Sequence, residues 1–91
     1  SRGLGDVYKR QDIKSLIALQ REILSTVHQY VKPGGRMIYS TCTIDAGENE
    51  ENVAWFTANH KEFEVESMEQ ILPDELGSDG FFIARLRKQN V

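Results

Sequence analysis

The chain has 91 residues, of which 40% are hydrophobic and 27% charged, and a formal net charge of −3 at pH 7. That length suits one small domain or part of a larger one, and the balance is that of a water-soluble globular fold. No apolar run approaches the roughly 20 residues of a membrane-spanning helix, and there is no secretory signal pattern. Cys42, the only cysteine, excludes an internal disulfide framework and fits a reducing cytoplasm. His28 and His60 lie too far apart in sequence to offer ligand spacing, so no metal site is expected.

The first eleven residues, Ser1-Arg2-Gly3-Leu4-Gly5-Asp6-Val7-Tyr8-Lys9-Arg10-Gln11, resemble an in-frame translation of a transposase-type sequencing adapter over their whole length. On that reading they are a non-native scar with no fold information, and the protein's own segment is 12–91. The other reading is a genuine flexible N-terminal segment. Without these residues the net charge becomes −5. An acidic segment is not a nucleic-acid surface by itself, so any basic groove must come from elsewhere.

Asp12 to Val31 predicts an amphipathic helix. Ile13, Leu16, Ile17, Leu19, Ile23, Leu24, Val27, Tyr30 and Val31 recur at helical spacing, Asp12 or Ser15 serves as N-cap, and Lys14, Gln20, Arg21 and Gln29 take the wet side. Pro33 and the Gly34-Gly35 pair stop the helix. Arg36 to Thr41 predicts a strand, and the consecutive apolar residues Met37, Ile38 and Tyr39 suggest burial on both faces, as in a parallel sheet. Thr43 to Gly47 is a loop. A second helix runs from about Glu48 to His60, with Glu48, Glu50 and Glu51 where the helix dipole favours negative charge. Its apolar surface comes from Val53, Ala54, Trp55, Phe56 and Ala58, and Trp55 and Phe56 read as core. Phe63 to Met68 alternates at period two, as a half-buried strand does. Ile71 to Ser78 is a loop, and Phe81 to Arg87 is a final strand. The order helix, strand, helix, strand, strand predicts an α/β fold, with a crossover between the first two strands and an antiparallel hairpin at the close. It is the latter half of a doubly wound sheet rather than a complete one.

Cys42 falls where the first strand meets a polar turn. Chemistry in open α/β sheets gathers beyond the carboxyl ends of strands, so a thiol there is a candidate nucleophile. Taken alone, a free cysteine is more often simply buried.

Four stretches add to this in order along the chain. They are Ala18-Leu19-Gln20-Arg21-Glu22-Ile23-Leu24, then Val31-Lys32-Pro33-Gly34-Gly35, then Tyr39-Ser40-Thr41-Cys42-Thr43-Ile44 with Glu48-Asn49-Glu50, and last Asp79-Gly80-Phe81-Phe82-Ile83-Ala84-Arg85-Leu86. Together they resemble the C-terminal end of the RNA cytosine-C5 methyltransferases of the Fmu/Sun/RsmB type, over about Asp12 to Lys88. The resemblance implies the C-terminal half of a Rossmann-like sheet that uses S-adenosylmethionine, with ribosomal RNA as substrate in the cytoplasm. It makes Cys42 the nucleophile that adds to C6 of cytosine so that C5 can accept a methyl group.

It also implies supporting roles near the base or the cysteine loop for Thr41, Asn49, Asp79 and Phe81. The residues themselves leave rivals open: helix capping for Asn49 and a plain turn at Asp79-Gly80. Arg85, Arg87 and Lys88 could meet phosphate or simply be solvated. Ala46-Gly47 stands where the family usually has Pro-Glu. The family's second cysteine, in a Pro-Cys motif with a nearby aspartate, is absent, as is its glycine-rich loop for the methyl donor. Lys32-Pro33-Gly34-Gly35 is no substitute, because it lies between a helix and a strand rather than after a strand. The segment alone is therefore expected to be inactive, to bind no S-adenosylmethionine and to be either marginally stable or self-associating. The rival readings are another methyltransferase of the same sheet, or a non-catalytic interaction domain with Cys42 buried.

Overall fold

The structure, a computed structural model, describes the backbone of residues 2–73 and 80–90 and the side chains of 12–73 and 80–90. The elements are α1 (Arg2–Val27) with a 3-10 turn at His28–Tyr30, β1 (Arg36–Thr41), α2 (Glu50–Asn59), β2 (Phe63–Ile71) and β3 (Phe81–Lys88). Their types and order are those read from the sequence. α1 has no break at Asp12, so neither Asp12 nor Ser15 is an N-cap: both lie inside a helix whose backbone runs back to Arg2. Its C-terminal end tightens into the 3-10 turn three residues before Pro33, and Gly34 reverses the chain at φ 81°. The Gly34 and Lys88 N–H groups donate to the Lys88 and Gly35 carbonyls at 2.8 Å each, tying this turn to the end of β3.

The three strands form one sheet in the order β1-β3-β2. β3 is antiparallel to both neighbours, in registers that include Thr41↔Phe82 with β1 and Gln70↔Phe82 with β2. β1 and β2 therefore run parallel to each other, joined through α2, with β3 inserted between them. The β2–β3 pairing is the expected hairpin. Apolar periodicity carries no signal for its insertion beside β1. β2 also extends to Ile71, past its predicted end at Met68, with a bulge between Val65 and Ser67.

The helices cover one face of the sheet. The core is Leu24 of α1, Met37 of β1, Val53 and Phe56 of α2, Phe63 of β2 and Phe82, Ala84 and Leu86 of β3. Each large side chain there contributes about 1.5–3 kcal/mol by leaving water. The other face is bare, which corrects the two-faced burial read from Met37 to Tyr39. Met37 is buried, but its neighbour Ile38 is 56% exposed. β2 is exposed over most of its length rather than half-buried. On α1, Leu16, Leu19, Ile23 and Val27 are exposed, whereas Gln20 and Arg21, read as wet, are half-buried towards α2. On α2, Ala54 and Ala58 face solvent.

Candidate active site at Cys42

β1 ends at Thr41, and Cys42 follows at a bend with its side chain exposed. The register continued one step sets Cys42 opposite Phe81, which in turn pairs with Ile71. One row across the sheet thus holds the candidate nucleophile, the start of β3 and the end of β2. Asp79, the other expected neighbour, lies outside the described residues.

The turn after Cys42 is built by its own polar residues. The Asp45 N–H donates to Thr43 Oγ1, and Asp45 Oδ2 accepts from the Glu48 N–H, both at 3.1 Å. This Asx-type turn leads into α2. Asn49 occupies the N-cap position, yet its side chain makes no capping bond. It is fully buried and points at the cysteine turn instead. Its Oδ1 accepts from the Thr41 hydroxyl, and its Nδ2 donates to the Thr43 carbonyl at 2.8 Å and to Gln70 Oε1 at 2.7 Å. The residues on both sides of Cys42 are therefore held by one buried amide. The Thr43 carbonyl can only accept, which fixes the orientation of that amide.

A second polar cluster docks the turn onto the helices. Tyr39 donates through its hydroxyl to the Glu48 carbonyl at 2.6 Å, and Asn52 Nδ2 donates to the same hydroxyl at 3.1 Å and to Gln20 Oε1 at 2.8 Å. Gln20 Nε2 reaches Glu48 Oε1 at 3.0 Å, and Arg21 Nε reaches Asn52 Oδ1 at 2.9 Å. Burial raises the Tyr39 phenol above its ordinary pKa, with a smaller push from the Glu48 carboxylate, while the Asn52 hydrogen bond opposes. The phenol therefore stays a neutral donor. Arg21 also lies 4.9 Å from the centroid of the Trp55 ring, a half-buried residue at the core margin. Lys88 donates to the Val31 carbonyl at 3.1 Å and Arg87 pairs with Glu64 at 3.7 Å, so of the three basic residues weighed for phosphate Arg85 is the exposed one.

Tyr39, Gln20, Asn52 and Gln70 were not among the residues read as functional. A signal existed for one of them: Asn49, Asn52, Val53 and Phe56 fall at i, i+3, i+4 and i+7, which is the buried stripe of α2. Among the described residues, no group of three or more His, Cys, Asp or Glu side chains is placed to hold a metal ion, and no helix is long and apolar enough to cross a membrane.

The family model for the 16S rRNA methyltransferases RsmB/F matches residues 6–87. The chain belongs to this family. Among RsmB/F relatives, it is 35% identical over 81 residues to ribosomal RNA small subunit methyltransferase B of Proteus mirabilis, covering 89% of this chain and 19% of that protein. It is 38% identical over 98 residues to the probable ribosomal RNA small subunit methyltransferase B of Bacillus subtilis, covering 89% of this chain and 22% of that protein. The crystal structure of a methyltransferase homologue from Pyrococcus horikoshii superposes with a TM-score of 0.68 at 29% identity, over 86% of this chain and 32% of that one. The chain thus spans about a fifth of the length of the curated RsmB/F relatives it matches.

Proposed function

We propose that this chain is the part of an S-adenosylmethionine-dependent methyltransferase that supplies the nucleophile for methylation of cytosine C5 in ribosomal RNA. Family membership supports the reaction class, and ribosomal RNA, a cytoplasmic substrate, follows from what the relatives are named for. One observation carries the role of Cys42. Its thiol is exposed at the end of a sheet strand while the residues on either side of it are anchored by the buried Asn49.

The chemistry explains why a thiol is needed. C5 of cytosine is a weak nucleophile. Addition of the Cys42 thiolate to C6 forms an S–C6 bond and moves the C5=C6 electron pair onto C5. A methyl donor held elsewhere in the enzyme would offer the electrophilic carbon for that pair, its sulfur–methyl bond breaking to leave a neutral thioether. Loss of the C5 proton then allows the S–C6 bond to break, which restores the double bond and the free thiolate.

The chain's own residues do not fit the donor. Its one Pro-Gly-Gly turn has its amides engaged inside the fold, Gly34 N–H with Lys88 and Gly35 N–H with Lys32, each at 2.8 Å. The donor site and the group that takes the C5 proton belong to other parts of the full-length enzyme. Thr41 and Asn49 support the loop. Phe81, half-buried opposite Cys42, borders the space for the base. The segment 12–91 is taken as the catalytic part, although the family match itself begins at residue 6.

The test is Cys42→Ala in the full-length enzyme. Methyl transfer to RNA should be abolished, while binding of S-adenosylmethionine, measured by calorimetric titration, stays within about twofold of wild type because the donor lies elsewhere. A Cys42→Ala enzyme that keeps most of its turnover would remove the thiol from the reaction.

A further inference from the structure

We propose that Gln70 is a positioning residue for Cys42, fixing the turn that bears the thiol against the start of β3. The proposal rests on the reading of Cys42 as nucleophile. Along β2, every residue after Phe63 is exposed except Gln70. Its register partner is Phe82, which also faces Thr41, so Gln70 and Thr41 flank Phe82 on the covered face. Asn49 lies against both of them. Gln70 Oε1 accepts from Asn49 Nδ2 at 2.7 Å, and Gln70 Nε2 donates to the Phe81 carbonyl at 2.9 Å and to the Thr43 and Ile71 carbonyls at 3.3 Å.

These acceptors belong to three separate pieces of chain: the Cys42 turn, the end of β2 and the start of β3. A carbonyl can only accept, so the amide has one orientation that serves all of them. A glutamine kept merely for solubility on an edge strand would point to water. This one spans the gap between Thr43 and Phe81, whose neighbours in sequence are Cys42 and Gly80. Gly80 is itself held close: a Cβ there would fall 2.6 Å from Ile44 Cγ2, inside the cysteine turn. The amide thus sets the distance between the thiol and the residue facing it across the sheet.

Displacing a reacting group by about 1 Å costs on the order of a hundredfold in rate. In the full-length enzyme, Gln70→Ala is expected to lower kcat for RNA methylation by about ten- to a hundredfold and leave KM for S-adenosylmethionine within about twofold. Gln70→Glu keeps the length and the acceptor for Asn49 but turns an oxygen towards the Thr43 and Phe81 carbonyls, so it should lose at least as much. Val65→Ala, on the same strand away from the turn, serves as the stability control and should keep kcat. Hydrogen exchange at the Asp45, Glu48 and Asn49 amides should speed up in both Gln70 variants and not in the control. Three results would overturn the proposal: a kcat within about twofold of wild type in either Gln70 variant, unchanged exchange at those amides, or an equal loss in Val65→Ala. The exchange measurement does not depend on the chemistry of Cys42. If Cys42→Ala retains turnover, the nucleophile reading fails while the exchange result still decides whether Gln70 holds the turn.

Discussion

Asn49 is the residue on which most of the turn's order depends. Its amide satisfies the Thr41 hydroxyl, the Thr43 carbonyl and the Gln70 carbonyl oxygen without contact with water. Asn49→Asp keeps the shape but replaces both N–H groups with an acceptor facing two other acceptors, and it buries a charge. The expected cost is about 3 kcal/mol, read as a lower urea midpoint of the full-length enzyme. Thr41→Ala removes one neutral hydrogen bond and should cost about 1 kcal/mol. The place of Cys42 was legible in the sequence, because an apolar run that gives way to turn-forming residues marks a strand end. Gln70 was not, since it lies past Met68, where the alternating pattern ends, and only the structure carries β2 on to Ile71. Gln20, Arg21 and Asn52 were read as wet or left unremarked. Asn52 is buried and Gln20 and Arg21 half-buried because they satisfy one another across α1 and α2 and, through Tyr39, β1, which only the tertiary arrangement reveals.

At the level of elements, the C-terminal ends of α1 and α2 meet through two histidines. The His28 ring stands 4.1 Å from His60 and edge-on to Phe56 and Phe63 at 5.8 and 6.1 Å. Its Nδ1 is buried without a hydrogen bond, with Glu62 Oε1 3.9 Å away. Burial lowers the His28 pKa below its ordinary 6.5, the His60 and Lys88 charges add to this, and Glu62 opposes. The folded state thus binds the proton less readily than the unfolded one. The stabilising effect is complete above pH 6.5 and is lost as the pH falls from there through the folded-state pKa. Urea midpoints at about pH 7.5 and 5.5 should therefore drop less in His28→Phe than in wild type. An equal drop in both would assign the acid sensitivity to other groups. The strand edges differ as well. β2 carries Glu64, Glu66 and Glu69 and a bulge, and Glu66 is drawn across to Arg36 at 2.7 Å. The Arg36 hydrogen bond lowers the Glu66 pKa, which keeps that edge charged. β1 has only Arg36 for protection, and its exposed face presents Ile38.

For the molecule as a whole, that asymmetry decides how the chain should behave by itself. Ile38 on the bare sheet face, beside the β1 edge, and Leu16, Leu19, Ile23 and Val27 on α1 are apolar side chains left open to water. The segment 12–91, expressed alone, should self-associate through β1 and bind no S-adenosylmethionine. Size-exclusion chromatography should show concentration-dependent species that Ile38→Lys shifts towards the monomer. A wild-type monomer that bound the donor at micromolar concentration would contradict both expectations. The α/β class and the element order were readable from periodicity and breaker residues. The single-faced burial of β1 was not, because three consecutive apolar residues look the same whether one face or two are covered. The insertion of β3 was also out of reach, since strand pairing is a long-range choice that local pattern does not encode.

The strand order has a consequence for biosynthesis. β1 and β2 share no backbone ladder, and each has β3 as its hydrogen-bonded neighbour in the sheet. On a ribosome β3 emerges after both, so through most of translation of this region neither strand has its partner. The helices can form as they appear, but the row that sets Cys42 opposite Phe81 cannot. The cysteine turn is thus completed late, when the last strand slides between two that are already waiting. A nascent chain stalled before Phe81 would expose two unpaired strands and a loosely held thiol together, a form that quality-control machinery would recognise as unfinished.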